Sequence, residues 1–360
     1  MKPFIFSADA HVNEPKGLWQ DQLPASMKDY ALRTSRDDTY FYTMCGERVL
    51  HRMQLADGNS GNEKIGRYEI EPRVQDMVRD GVDAELIFPQ LGMMASCVDN
   101  RDIEVATTKI YNDWCIGHFK SHPHMFVPAA VLPVQNLADT LAELNRVIGL
   151  GYTTAMVPCV LPEATPKLNR ADWDPIWQAA SDAGMPIIFH VGTGPSRVFE
   201  KGPGAAILNY LAVSQHAIDC VAFMVTGGAL DRFPKLQIVT VEAGASYLLS
   251  LAERMDETYR QMQHYIRPKL SRLPSRILAD QVKATFQRDR AAIRSRHVLG
   301  HQTMLFASDY PHAEGTFPNT QAVVEENFGG LDVPQAEMLD ILGRTAAKLF
   351  RLKNAAVAAA

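Results

Sequence analysis

The sequence has 360 residues, of which 46% are hydrophobic and 21% charged, the composition of an ordinary globular protein. Its formal net charge of -5 argues against a nucleic-acid or anionic-membrane partner. No uninterrupted apolar run of about 18 residues is present, and Asp9 comes too early for a signal-peptide core, so neither a membrane span nor an export signal is expected. The five scattered cysteines lack CxxC spacing, which favours a reduced, cytoplasmic protein without a thiolate metal site.

Short apolar runs alternate with amphipathic stretches along the whole chain. Continuous apolar runs of this length are typical of parallel strands buried on both faces. The strands are predicted at Phe4–Ala10, Ala84–Pro89, Met125–Leu132, Thr154–Cys159, Pro186–Val191, Leu236–Val241, Gln281–Phe286 and Thr303–Ser308. Helices are predicted at Asp102–Phe119, Leu137–Leu150, Trp173–Ala183, Tyr247–Tyr265 and Ala336–Leu352.

Eight strands alternating with helices predict an α/β fold, a (β/α)8 barrel. A doubly wound open sheet is the alternative, which the lack of GxGxxG after the first strand disfavours. We expect one domain over residues 1–353, with residues 15–73 forming an inserted N-terminal lid or subdomain. Residues 354–360 are expected to be a disordered tail, and residues 195–210 a long loop rich in glycine and proline.

The first predicted strand ends in a pair of metal-ligand types. Asp9 and His11 are two residues apart, so their side chains point the same way, toward the mouth of a barrel at this strand end. A carboxylate with a neutral imidazole suits zinc, iron or manganese. The alternative for this pair is a helix-capping aspartate beside a hydrogen-bonded histidine.

Three more candidate ligands follow later strands. His190 ends the fifth strand, Glu242 the sixth, and Asp309 follows the eighth. A buried, unpaired carboxylate is costly, so each aspartate or glutamate needs a partner such as a metal or a structural cation. Strand ends of a barrel meet at one face, which predicts a single site from these distant residues.

Several motifs resemble those of a known family. The chain is similar over nearly its whole length to the metal-dependent amidohydrolase-related proteins of the amidohydrolase 2 type, which include the aminocarboxymuconate semialdehyde and γ-resorcylate decarboxylases. The matching segments are Ala8-Asp9-Ala10-His11 with Glu14-Pro15, Gly81-Val82-Asp83-Ala84, Phe189-His190-Val191-Gly192, the run from Gly227 to Leu236, and Ser308-Asp309-Tyr310-Pro311-His312.

The resemblance implies a distorted TIM barrel that binds a divalent metal, most often zinc. Asp9, His11, His190 and Asp309 would be the ligands, and Asp309 would also move protons. Iron or manganese is the alternative to zinc. A homodimer is implied as well.

Glu242 stands where many relatives have a catalytic histidine. It would either bind a second metal ion, replace that histidine, or orient a ligand histidine. His216 and His312 are candidates to supply the missing imidazole, against the simpler assignment of both as structural histidines.

The main functional prediction is a metal-dependent hydrolase that acts on a small-molecule ester, thioester, lactone or amide. One or two metal ions would activate water, Asp309 would take its proton, and His216 or His312 would protonate the leaving group. The alternative is nonoxidative decarboxylation of an aromatic or unsaturated acid, with Asp309 protonating carbon. A non-catalytic ligand-binding barrel is the third possibility.

Apolar residues after the strand ends indicate a bulky hydrophobic or aromatic substrate. The alternative for each of them is ordinary core packing. The set is Phe88, Leu91, Met93, Met94, Trp173, Phe199, Tyr210 and Phe317.

Overall fold

The computed structural model describes residues 3–54, 65–98, 100–194 and 200–353. The predictions for the tail at 354–360, for Phe199 and for the part of the inserted segment at 55–64 fall outside these residues.

In the described part of the chain, twelve strands form one parallel set and one antiparallel set. Nine of these strands are parallel, and the burial of their apolar side chains on both faces explains their unbroken hydrophobic runs. The strands are β1 Phe6–Val12, β2 Leu32–Arg36, β3 Tyr40–Cys45, β4 Arg48–Gln54, β5 Ala84–Pro89, β6 Phe126–Pro128, β7 Ala130–Val131, β8 Ala155–Met156, β9 Ile187–His190, β10 Ile238–Val241, β11 Val282–Phe286 and β12 Met304–Phe306.

The parallel strands form a ring. One sheet runs β1-β5-β6 and the other β7-β8-β9-β10-β11-β12. Strands β6 and β7 are two halves of the predicted third strand: the amide of Ala129 donates to Ile87 on one side, and that of Ala130 to Thr154 on the other. The ring therefore has eight strand positions, and the predicted α/β barrel is confirmed.

The first and last strands close the barrel. The backbone amides of His11 and Asp309 donate to Tyr310 and Asp9, over 2.6 and 2.9 Å. The amide of Ser308 donates to the Ser7 hydroxyl over 2.8 Å. This seam brings the predicted ligands of both strands to the same place.

Thirteen α-helices are present among the described residues. The predicted helices at residues 102–119, 137–150, 173–183 and 247–265 are confirmed, with ends shifted by at most four residues. The helices are α1 Leu18–Gln22, α2 Ile70–Asp80, α3 Arg101–Phe119, α4 Leu137–Leu150, α5 Asp174–Asp182, α6 Ala205–Thr226, α7 Ala229–Arg232, α8 Tyr247–Gln261, α9 Pro274–Gln281, α10 Arg290–Arg294, α11 Thr320–Phe328, α12 Gln335–Leu339 and α13 Thr345–Leu349.

The last predicted helix is not continuous. A π-helical turn at Asp340–Arg344 separates α12 from α13. Gly343 lies in this turn, where a Cβ atom would come within 2.8 Å of the backbone nitrogen of Phe6. The glycine thus allows the C-terminal helix to approach β1 closely.

Helix α6 corrects the predicted extent of the loop at residues 195–210. It begins at Ala205, directly after Gly204 in a left-handed conformation, so the predicted loop through residue 210 ends earlier. The helix has 22 residues, with a mean hydropathy of 1.2 in its most apolar window, enough by length and composition alone to cross a membrane. Only 22% of that window is buried.

The inserted segment carries a small antiparallel sheet in the order β2-β3-β4. The Arg48 guanidinium of β4 donates to the Cys97 carbonyl, which lies shortly after the carboxyl end of β5. The insertion therefore packs beside the end of the barrel where the predicted ligands gather.

Candidate metal centre

Four of the predicted ligands converge at the carboxyl ends of the barrel strands. Asp9, His11 and His190 come from β1 and β9, Asp309 follows β12, and each is at most 1% exposed. His190 Nε2 lies 3.3 Å from Asp9 Oδ1. His11 Nε2 lies 3.4 Å from Asp9 Oδ1 and 3.6 Å from Asp309 Oδ1. Asp9, His11 and His190 offer ligand atoms within 4.8 Å of one another, and His11 also belongs to a second such group with Asp309 and His312.

The buried His11 Nε2 makes no hydrogen bond of ordinary geometry, and the buried Asp309 Oδ1 near it contacts His312 Nδ1. Buried polar atoms without a hydrogen bond are rare, and a cation held near both atoms would satisfy the imidazole. The other nitrogen of His11 is 3.0 Å from the Pro89 carbonyl, and that of His190 is 2.8 Å from the Val191 carbonyl. Both rings thereby turn Nε2 toward the cluster, as ligand histidines do. The donor set fits a divalent cation.

The backbone is strained at two of the site residues. Asp309 has a φ of 55° and Glu242 a φ of 68°, in the left-handed region that non-glycine residues rarely adopt. Such conformations cost about 1–3 kcal/mol and concentrate at functional sites. Each follows a barrel strand and aims its carboxyl group at the cluster.

Asp309 and His312 form an ion pair at the edge of the cluster. His312 Nδ1 lies 2.8 Å from Asp309 Oδ1, and Gln287 donates to Asp309 Oδ2 over 3.1 Å. Burial, together with the charge of Asp9, raises the pKa of Asp309 to about 6. Burial lowers the pKa of His312, but its pairing with Asp309 outweighs this and raises the value to about 9. The pair can hold and pass a proton.

Burial and neighbouring charges also shift the pKa values of His11, His190 and Asp9. Burial lowers the pKa of His11 to about 4, which keeps its imidazole neutral. Burial opposes protonation of His190 as well, but the charge of Asp9 outweighs it and raises the pKa to about 9. Burial also disfavours the charged form of Asp9, yet His190 and His11 hold its pKa below the ordinary value.

Glu242 lies beside this cluster rather than among its ligand atoms. Its Oε2 is 3.8 Å from His190 Nδ1, the nitrogen that contacts the Val191 carbonyl rather than Asp9. A second group of possible ligand atoms, all within 4.8 Å of one another, joins Glu242, Asp309, His312 and Glu314. Burial and the charge of Asp309 raise the pKa of Glu242 well above its ordinary value, which favours a neutral carboxyl group.

His216 is half-buried in the middle of α6. None of the possible ligand groups found among the described residues includes it. The structure brings the other predicted site residues together: Asp9, His11, His190, Glu242, Asp309 and His312.

A cavity of about 330 Å³ opens from the cluster. Asp9 and Glu242 line its floor, and Tyr210, Leu211 and Phe286 supply apolar walls. Of the predicted apolar set, Tyr210 lines this cavity, whereas Phe88 packs against the His190 ring at 4.7 Å and Trp173 is buried against Trp177.

Sequence reasoning missed the glutamines of the site. Gln287 hydrogen-bonds Asp309, and Gln90 Oε1 lies 3.0 Å from His312 Nε2. Each follows the carboxyl end of a strand, Gln90 directly after β5 and Gln287 directly after β11. That position is the signal that could have found them, since the predicted ligands occupy it too.

Comparison with known proteins identifies the fold family. The profile of the family described as Amidohydrolase matches residues 8–352. An amidohydrolase from Mycobacterium avium subsp. paratuberculosis has a similar structure, with 19% identity, a TM-score of 0.79, and coverage of 97% of this chain and 98% of that one.

Two named decarboxylases are also similar. The structure of 5-carboxyvanillate decarboxylase from Novosphingobium aromaticivorans, with bound manganese, gives 15% identity, a TM-score of 0.72 and 97% coverage of both chains. Decarboxylase orsB of Emericella nidulans is 29% identical over 153 residues, which span 38% of this chain and 44% of that protein. The match thus covers less than half of the curated relative. Because the family profile spans nearly the whole sequence, the chain belongs to the amidohydrolase family.

Proposed function

We propose that this protein is a metal-dependent, nonoxidative decarboxylase of an aromatic or unsaturated carboxylic acid. The observation that carries the proposal is the position of Asp309: its buried Oδ1 faces the unpartnered His11 Nε2 and is paired with His312. One residue therefore joins the ligand cluster to a proton source. Similarity to two named decarboxylases supports this choice over hydrolysis.

The metal would be held by Asp9, His11, His190 and Asp309. When bound, it would supply positive charge that anchors the substrate carboxylate and an adjacent oxygen. Zinc follows from the family resemblance, and manganese from the metal bound to the similar decarboxylase. Both suit imidazole and carboxylate ligands.

The protein's own residues would manage the proton. With a pKa of about 6, Asp309 is protonated in about one molecule in ten at pH 7, and His312 beside it carries the proton that can pass to it. It would donate its proton to the ring or vinyl carbon that carries the carboxylate. The carbon–carbon bond then breaks, its electron pair restores the double bond that protonation had consumed, and carbon dioxide leaves. His312 would reprotonate the ionised Asp309 and take up a proton from solvent in turn.

Glu242 suits an anionic substrate when its carboxyl group is neutral. An ionised carboxylate on the cavity floor would repel the acid. The raised pKa of Glu242 removes this objection and leaves a hydrogen-bond donor facing the cavity.

Hydrolysis is the second candidate. The group of Glu242, Asp309, His312 and Glu314 offers enough ligand atoms for a second ion, which would favour an activated water. His312 would then protonate the leaving group. In either case we propose a small-molecule substrate, a homodimer and a cytoplasmic location.

The test combines metal analysis with product detection for the wild type and Glu242→Gln. We expect about one metal ion per chain in both proteins, and release of carbon dioxide from hydroxylated benzoates such as 5-carboxyvanillate. Two ions in the wild type and one in the variant, with hydrolysis of esters or lactones instead, would favour the hydrolase. A protein that binds no divalent metal would overturn both candidates.

A further inference from the structure

Glu14 is a buried carboxylate that the proposed mechanism leaves without a role. It follows β1, three residues after His11, and is 5% exposed. Its Oε2 accepts the backbone N–H of Leu91 over 3.0 Å, and its Oε1 that of Gly92 over 2.9 Å. A Cβ atom on Gly92 would lie 3.2 Å from Glu14 Oε1 and 2.8 Å from the Pro89 side chain. The glycine allows this close approach.

The segment that Glu14 holds, residues 89–92, contacts the metal centre at two points. The Pro89 carbonyl lies 3.0 Å from His11 Nδ1, where it accepts a hydrogen bond. The Gln90 side-chain oxygen lies 3.0 Å from His312 Nε2. The first contact places the proton of His11 on Nδ1 and leaves Nε2 as a lone pair facing the ligand cluster.

We propose that Glu14 is a positioning residue of the metal centre: by fixing residues 89–92, it orients the imidazoles of His11 and His312. The inference rests on the metal site of the proposed function but not on the reaction catalysed there. Partners that orient ligand histidines typically contribute about 10–100-fold to metal affinity.

The chain contains a matched control. Glu104 is 1% exposed and accepts two consecutive backbone N–H groups, those of Val134 and Gln135, each over 2.9 Å. Its hydrogen bonds copy those of Glu14, but the segment it holds follows β7 and makes none of the hydrogen bonds described for the metal centre. Loss of either carboxylate should therefore weaken the fold in the same way.

The experiment compares Glu14→Gln with Glu104→Gln in the full chain. The readouts are the melting temperature of the metal-free protein and the Kd for manganese and for zinc, measured by competition with a chromophoric chelator. We expect similar losses of melting temperature in the two variants. Metal affinity should fall about 10–100-fold in Glu14→Gln alone.

A second variant covers the case in which Glu14→Gln does not fold. Gly92→Ala keeps the carboxylate but displaces residues 89–92 by the added methyl group, so it should also weaken metal binding. Unchanged affinity in the folded variants, or an equal loss in Glu104→Gln, would overturn the inference, as would a wild type without metal affinity. If Glu14→Gln alone lost metal affinity but the wild type released no carbon dioxide, the role of Glu14 would stand and the proposed decarboxylase activity would be rejected.

Discussion

The chemistry of Asp309 depends on conflicting demands on one carboxyl group. Burial and the charge of Asp9 disfavour its ionised form, whereas the contacts with His312 and Gln287 favour it. Its left-handed backbone lets its amide donate to Asp9 while its side chain faces His11. A residue in this position can serve both as a ligand and as an acid.

Asp309→Asn should abolish turnover while the fold persists. Asparagine has the same shape and retains an oxygen for the metal, but it cannot donate an acidic proton. Activity, metal content and circular dichroism of the variant check this prediction. Full activity with a normal metal content would rule out Asp309 as the proton donor.

Helix α6 consists of two unlike halves. Residues 205–216 include no buried residue, whereas Ala217, Cys220 and Val221 pack into the core. In the exposed half, Ile207 is 70% and Leu211 61% exposed. Tyr210 and Leu211 also line the cavity, so this half of the helix forms part of the site entrance.

Hydrogen exchange should separate the two halves. Helical segments with few buried contacts open locally at low free-energy cost. Amides of residues 205–216 should exchange about 10–100-fold faster than those of 217–226, as measured by mass spectrometry of peptides from each half. Equal protection would mean that the apolar face is covered in solution, as it would be at an interface of the proposed homodimer.

At the scale of the whole molecule, closure of the barrel buries a charged side chain that an isolated strand would leave in water. Lys283 of β11 is 7% exposed, and its Nζ donates to the Gln237 side chain over 3.0 Å. Burial lowers the pKa of Lys283 to about 8, from an ordinary value of 10.5. At neutral pH the folded protein therefore holds a buried ammonium group, which lowers its free energy of unfolding.

Lys283→Met should stabilise the protein at pH 7, and the gain should shrink as the pH rises. Between pH 8 and 10.5 the unfolded chain binds a proton that the folded state has lost, so the unfolding free energy of the wild type increases with pH. The lowered pKa of Lys283 corresponds to a change of about 3 kcal/mol in the free energy of unfolding over this pH range. Urea denaturation at pH 7 and 10 measures it, with the exposed Lys235→Met as the control. If the stability difference between the wild type and Lys283→Met were the same at both pH values, the lowered pKa of Lys283 would be contradicted.

The alternation of strands and helices was readable from the sequence because burial on both faces leaves unbroken apolar runs. The positions of Asp9, His11, His190 and Asp309 followed from the same pattern, since polar residues at the ends of such runs need partners. Helix α6 and the sheet of β2, β3 and β4 were missed because their exposed faces carry no such periodic signal.

The sequence by itself determined the barrel, the family and the residue types at the strand ends, because each depends on local periodicity or on short motifs. Only the tertiary structure decided how those side chains meet. The unpartnered His11 Nε2, the neutral state favoured for Glu242 and the contact of Gln90 with His312 all depend on groups far away in the chain. Distances and burial between remote residues arise when the barrel closes, and no local pattern encodes them.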